Sequence, residues 1–149
     1  MRYPDTMNWR SLRRWVLWGP VVLYALLIFH FSSQSNPLPA LTSLVWDKAL
    51  HTTEYAGFAL LICRALRGEG LRWWRSITLA VILASVYAAS DEWHQFFVPQ
   101  RDADVADWAA DVIGATAGSS LYRLINEVIK LEAGGWRPGA GGQGPEAGG

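Results

Sequence analysis

The sequence predicts an all-α fold: an integral membrane four-helix bundle with both termini on the cytoplasmic side, followed by a disordered Gly-rich C-terminal tail. Three observations carry that expectation. Hydrophobic residues make up 51% of the 149 residues and charged residues only 17%, below the roughly 25% of an ordinary soluble domain. The polar residues fall in short blocks between apolar runs, which excludes a disordered chain. The basic residues, finally, concentrate in every second block. Length admits a single domain. The formal net charge of zero gives no reason to expect a nucleic-acid partner. The lone cysteine, Cys63, can neither close an intrachain disulfide nor form a zinc cluster by itself.

Residues 1–14 form a basic cytoplasmic leader, and residues 15–130 are expected to form the membrane domain. The first span, 15–31 (WVLWGPVVLYALLIFHF), contains no Asp, Glu, Lys or Arg. It is near the short end of what crosses a hydrocarbon core of about 30 Å. A cleaved secretion signal is the competing reading, but no small-x-small site follows the apolar run, so the segment reads as an anchor. The second span, about 48–66, carries His51 and Glu54 in its first half. The third, about 73–91, is apolar throughout its centre. The fourth, about 104–125, is interrupted near its start by Asp107 and Asp111. Residues 131–149, rich in Gly, have little to bury and are expected to be a flexible cytoplasmic tail.

Orientation follows from the bases. Arg2, Arg10, Arg13, Arg14, Arg64, Arg67, Arg72, Arg75, Arg123, Lys130 and Arg137 fall on one side of this alternation, leaving only Lys48 and Arg101 for the other. Positive residues are retained in the cytoplasm, so the termini and the turn between spans two and three are expected inside. Trp9, Trp15, Trp18, Trp73 and Trp74 fit an aromatic belt at that interface. Eight of the 13 acids, Asp47, Glu54, Asp91, Glu92, Asp102, Asp104, Asp107 and Asp111, fall on the outward half. Carboxylates contribute little to orientation, so acids inside the helices need another explanation.

Helical spacing groups them. Asp47, His51 and Tyr55 share one face of the second helix. Tyr87, Asp91 and His94 share one face of the third, provided that helix persists. Asp107, Asp111, Gly114 and Gly118 form a stripe on the fourth. Ionisable side chains cost roughly 3 kcal/mol at the bilayer centre, so these faces should turn toward one another or toward a water-filled cavity. The candidate catalytic residues are Asp47, His51, Tyr55, Asp91, Glu92, His94, Asp107 and Asp111. Arg101, Gln95 and Lys48 are candidate substrate-binding residues, since a guanidinium suits phosphate or carboxylate. Asp91, His94, Asp107 and Asp111 also offer oxygen and nitrogen donors for a metal, although no H-E-x-x-H signature is present and no cofactor is assigned. Blander roles stand beside these. Asp47 suits a helix N-cap, Gly114 and Gly118 suit close helix packing, and Cys63 and His30 need no function.

Four motifs appear in order: F-S-S-Q-S (Phe31 to Ser35), D-K-x-x-H-x-x-x-Y (Asp47 to Tyr55), S-D-E-x-H-Q-x-F-V-P-x-R (Ser90 to Arg101) and D-x-x-x-D-x-x-G-x-x-x-G (Asp107 to Gly118). In this combination the chain resembles the VanZ-like family of small bacterial polytopic membrane proteins, whose name-giving member is associated with teicoplanin resistance. Two residues depart from the family pattern: Gln100 stands where many members carry Gly, and Asp111 where many carry Asn. The resemblance implies a multi-pass protein of the bacterial cytoplasmic membrane, with a link to glycopeptide antibiotic resistance. The partners expected are membrane lipids and an envelope precursor or glycopeptide ligand, and a homo-oligomer is compatible with the pattern.

Three functions remain open at this level. One is binding or modification of a lipid-linked or anionic cell-envelope component at the outward cluster. Another is an acid–base or metal-dependent hydrolase or transferase of an envelope precursor. The third, proton-coupled transport, would require an oligomer, because four short helices make a poor carrier. Whether the chain is an enzyme is not decided by its sequence.

Overall fold

The computed structural model describes residues 9–35, 44–101 and 103–135, except for the side chains of 44–47 and 133–135. Within them the chain is all-helical: α1 (Trp9–Ser32), α2 (Leu44–Gly68), α3 (Trp73–Gln95) and α4 (Val105–Gly135), with no strand among the described residues. Every helix outruns the apolar span expected for it, because amphipathic turns continue past the hydrophobic centre. α4 reaches Gly135, so Leu131 to Gly135 are helical where a flexible tail is expected from residue 131. Residues 136–149 lie outside the described residues. By length and composition α1 is the one described helix apolar enough to cross a membrane, with a mean hydropathy of 1.7 over its best window. The acids and small residues of α2 and α4 hold theirs down.

The central helix is α2, which touches all three others. Its most extensive partner is α4, while α1 packs mainly on α2, slightly on α3 and, among the described residues, not on α4. Facing residue pairs fix the directions. His51 meets Asp111 and the backbone of Thr52 and Ala56 meets Gly114 and Gly118, so α2 and α4 run parallel. Trp108 on α4 donates to the Ser85 carbonyl of α3 while Trp73 packs on Tyr122, so α3 and α4 are antiparallel. Tyr24 of α1 stacks on Phe58 of α2, and Tyr87 of α3 donates to the Ala25 carbonyl of α1 at 2.6 Å.

Small side chains bring the helices together. Ser76, Ala80, Ala84 and Ala88 form the buried stripe of α3. On α4, Gly114, Ala115, Gly118 and Ser119 are buried. A Cβ on Gly114 or Gly118 would collide with the backbone carbonyl of Thr52 or Ala56, so glycine is required for this close approach. Many large apolar residues point outward: Val22, Leu23, Leu26, Val86, Ile113 and Leu124 are all at least half exposed, although Val21, Ile28, Phe58, Ile62 and Leu66 are buried in the core.

The turn from α2 to α3 passes through Gly70 at φ 93°, a left-handed residue closing a helix C-terminus. Around it gather Arg64, Arg67, Arg72 and Arg75, with Arg13 of α1 donating to the Gly68 carbonyl. Arg67 stacks over Trp73 at 4.3 Å. The opposite end of the bundle is built from the end of α1, the start of α2, the end of α3, the Phe96–Asp104 connection and the start of α4. That is where the ionisable cluster lies.

Candidate functional site

The stripes converge because the small residues set the rotation of each helix. On α3 the Ser76–Ala80–Ala84–Ala88 line continues as Asp91, Glu92 and Gln95, all buried. On α4 the line through Gly114 and Gly118 begins at Asp107 and Asp111, likewise buried. His51 and Tyr55 of α2 complete the inward set.

At its centre His51 Nδ1 lies 3.0 Å from Asp111 Oδ1, and Asp111 is only 1% exposed. A carboxylate bonded to one ring nitrogen fixes tautomer and ring orientation. Lys48 Nζ donates to Asp107 Oδ1 at 2.7 Å and to Asp104 Oδ2 at 3.1 Å, tying the N-terminal part of α2 to the start of α4. Asp104 is also the N-cap of α4, its Oδ1 accepting the Ala106 N–H at 2.8 Å. Thr52 donates to its own helix at Lys48 O. Glu92 Oε2 accepts the backbone N–H of Asp104 at 2.9 Å, whereas Glu92 Oε1 and Tyr55 Oη are buried without a hydrogen-bond partner among the described residues. One ring nitrogen of His51 and one carboxylate oxygen from each of Glu92 and Asp107 lie within 4.8 Å of one another.

Other predicted residues lie around this centre. Asp91 is buried and accepts the Gln95 amide on Oδ2 at 3.2 Å, which assigns Gln95 to holding Asp91. His94 turns toward α1, with Nε2 3.1 Å from Ser33 Oγ and its ring 4.7 Å from that of Phe29. The Tyr87–Asp91–His94 face expected on α3 therefore exists, but its two ends contact α1. Arg101 donates through Nε to the Gln34 carbonyl at 3.1 Å and through Nη2 to the Phe31 carbonyl at 3.5 Å. It thus caps the C-terminus of α1 and ties F-S-S-Q-S to the α3–α4 connection. Of the metal set expected from sequence, only Asp107 belongs to the group of donors the described residues bring together. Asp47 lies outside the residues whose side chains are described, and Asp102 outside the described residues altogether.

Nothing in the spacing of the acids singles out the aromatic wall beside them. Ala89, Glu92, Trp93, Phe96, Val105 and Trp108 line an open, almost wholly apolar groove of about 570 Å³ between the end of α3 and the start of α4. Glu92 belongs both to this groove and to the buried cluster. The available signal is that Trp93, Phe96 and Phe97 continue an apolar helical face past the acids, with Phe97 packed edge-on against both of its neighbours.

The class this arrangement defines is a small all-helical protein with a buried His–carboxylate centre at one end of its bundle and an apolar groove beside it. The chain belongs to the VanZ/LLP1 family, whose model matches residues 4–126. No curated protein and no solved structure shows a significant match to it.

Proposed function

We propose that the chain is a multi-pass membrane protein that engages an amphipathic, lipid-linked component of the cell envelope at the exoplasmic end of its bundle. Membrane embedding is supported by the inverted distribution of side chains. Many large apolar residues of α1, α3 and α4 face outward, while small residues line the helix contacts and ionisable groups lie buried beside a core of Ile28, Phe58, Ile62 and Leu66, as expected where lipid is the solvent. Orientation is supported by the bases gathered around Gly70 and the α1 N-terminus, which belong on the cytoplasmic side. Trp9, Trp15 and Trp74 are exposed at that same end.

The observation that carries the ligand reading is the sharing of Glu92 between an apolar groove and a buried polar centre. A hydrocarbon chain suits the apolar groove, and a polar head group held at its Glu92 and Asp104 edge would border the buried centre, so one amphipathic molecule would engage both. A link to glycopeptide resistance would follow if that component were the antibiotic's target or carrier. The 3.0 Å bond between His51 and Asp111 favours a second reading, acid–base turnover of the head group.

The test is labelling of the purified full-length chain with a long-chain lipid carrying a photoreactive group on its tail. Cross-links should map to Trp93, Phe96 or Trp108, and Ala89→Phe, which fills the groove, should abolish them. Labelling spread evenly over the exposed faces of α1 and α3, and unchanged in Ala89→Phe, would contradict the proposal.

A further inference from the structure

The polar centre has a feature that docking of a head group does not require. His51, Glu92 and Asp107 come from three different helices, all are buried, and they present one nitrogen and two oxygens within 4.8 Å of one another. A second observation is independent of that clustering. Glu92 is 8% exposed, and its Oε1 has no hydrogen-bond donor among the described residues, although Oε2 accepts the Asp104 N–H. Leaving a buried carboxylate oxygen without a partner is costly, more so for a charged group than a neutral one. A cation held among the three side chains removes that cost.

We propose that His51, Glu92 and Asp107 bind one divalent cation of the zinc or manganese type. One imidazole and two carboxylates suit such ions. Ca²⁺ prefers six to eight oxygens, and Mg²⁺ retains most of its water. Donors sit about 2.0–2.2 Å from a zinc ion, so the three side chains need only modest rotamer adjustment to close on one. Asp111 is the positioning residue: its bond to His51 Nδ1 is the outer-shell carboxylate that commonly orients a metal-bound imidazole. Lys48 already places an ammonium on Asp107 Oδ1, which marks the site as one that accepts positive charge and makes Lys48 a competitor for it. Three protein donors leave positions open for an exogenous group. Resting on the function proposed above, the cation would also offset the repulsion between these carboxylates and an anionic head group.

The full-length chain, purified in detergent and stripped with a chelator, is titrated with Zn²⁺ or Mn²⁺ alone, and bound metal is counted. Binding of one ion per chain is expected. Glu92→Gln and Asp107→Asn should lose it, and Asp111→Asn should weaken it by roughly 10-fold or more. His94→Ala, which turns to α1, should leave it unchanged. Lys48→Ala should tighten it, a response that a purely structural Lys48 bridge would not give. Wild-type protein that binds no more metal than His51→Ala, or affinity unaltered by Glu92→Gln, would overturn the site. If Glu92→Gln does not fold, Lys48→Ala decides, and weaker or equal binding there counts against the site. Lipid photolabelling of wild-type protein that binds no metal would sink the cation site alone. Stoichiometric metal without lipid labelling would sink the ligand reading alone.

Discussion

Replacing Gly114 by Ala perturbs the packing that assembles the site without touching any of its side chains. The added Cβ would lie 2.8 Å from the Thr52 carbonyl carbon and 2.9 Å from its Cα. Carbon atoms in contact rest at about 3.5–4.0 Å, so α2 and α4 must separate by roughly 1 Å. His51 precedes Thr52 by one residue and Asp111 precedes Gly114 by three, so their 3.0 Å bond would open toward 4 Å and cease to be a hydrogen bond. Gly19→Ala is the matched control, because nothing lies within 4 Å of a Cβ there. Both variants gain the helix propensity of Ala over Gly, up to about 1 kcal/mol. The difference between them therefore isolates overpacking, about 1–3 kcal/mol. The assay is the thermal unfolding midpoint in detergent, read with the imidazole resonances of His51. Gly114→Ala should melt well below Gly19→Ala and lose the signal of the bonded Nδ1. A Gly114→Ala protein that melts with Gly19→Ala and keeps that signal would refute the account of how the site is held.

Two further outcomes follow from the α3–α4 connection. Gln100 occupies φ 65°, a left-handed backbone that disfavours side chains, so Gln100→Gly should stabilise the chain by about 1 kcal/mol; a lower melting midpoint would contradict this. Arg101→Lys cannot reproduce a fork reaching both Gln34 O and Phe31 O, and should cost about 1 kcal/mol in the same measurement; an unchanged midpoint would show that the α1 cap carries no stability.

The four helices were legible because apolar runs and basic blocks alternate, although the runs understate the length of every helix, in α3 and α4 at the C-terminal end alone. Asp107, Asp111, Gly114 and Gly118 were readable as one stripe because all face a single neighbour, α2. The third helix was harder. Asp91 and Glu92 differ by 100° around the axis, and the acids alone do not say which points to His51. The Ser76–Ala80–Ala84–Ala88 line shows that both turn inward, since small residues mark the face of closest approach and the line continues through Asp91, Glu92 and Gln95, while His94 turns to α1. Arg101 shows a different limit. Its backbone acceptors at and just beyond the end of α1 are 67 and 70 residues away in sequence, a tertiary fact that local spacing does not encode. The departure at Gln100 gains a physical meaning, since the position that carries Gly in the resembled family has a positive φ here.

The most direct test asks which side of a membrane the ionisable end faces. Cys63 is buried, so single cysteines can be introduced at exposed positions against a silent background. With a membrane-impermeant maleimide, Gln100→Cys should be labelled in intact cells and Arg72→Cys only after permeabilisation. The reverse pattern, or labelling of both positions only in lysed cells, would contradict a His–carboxylate centre that opens to the outside.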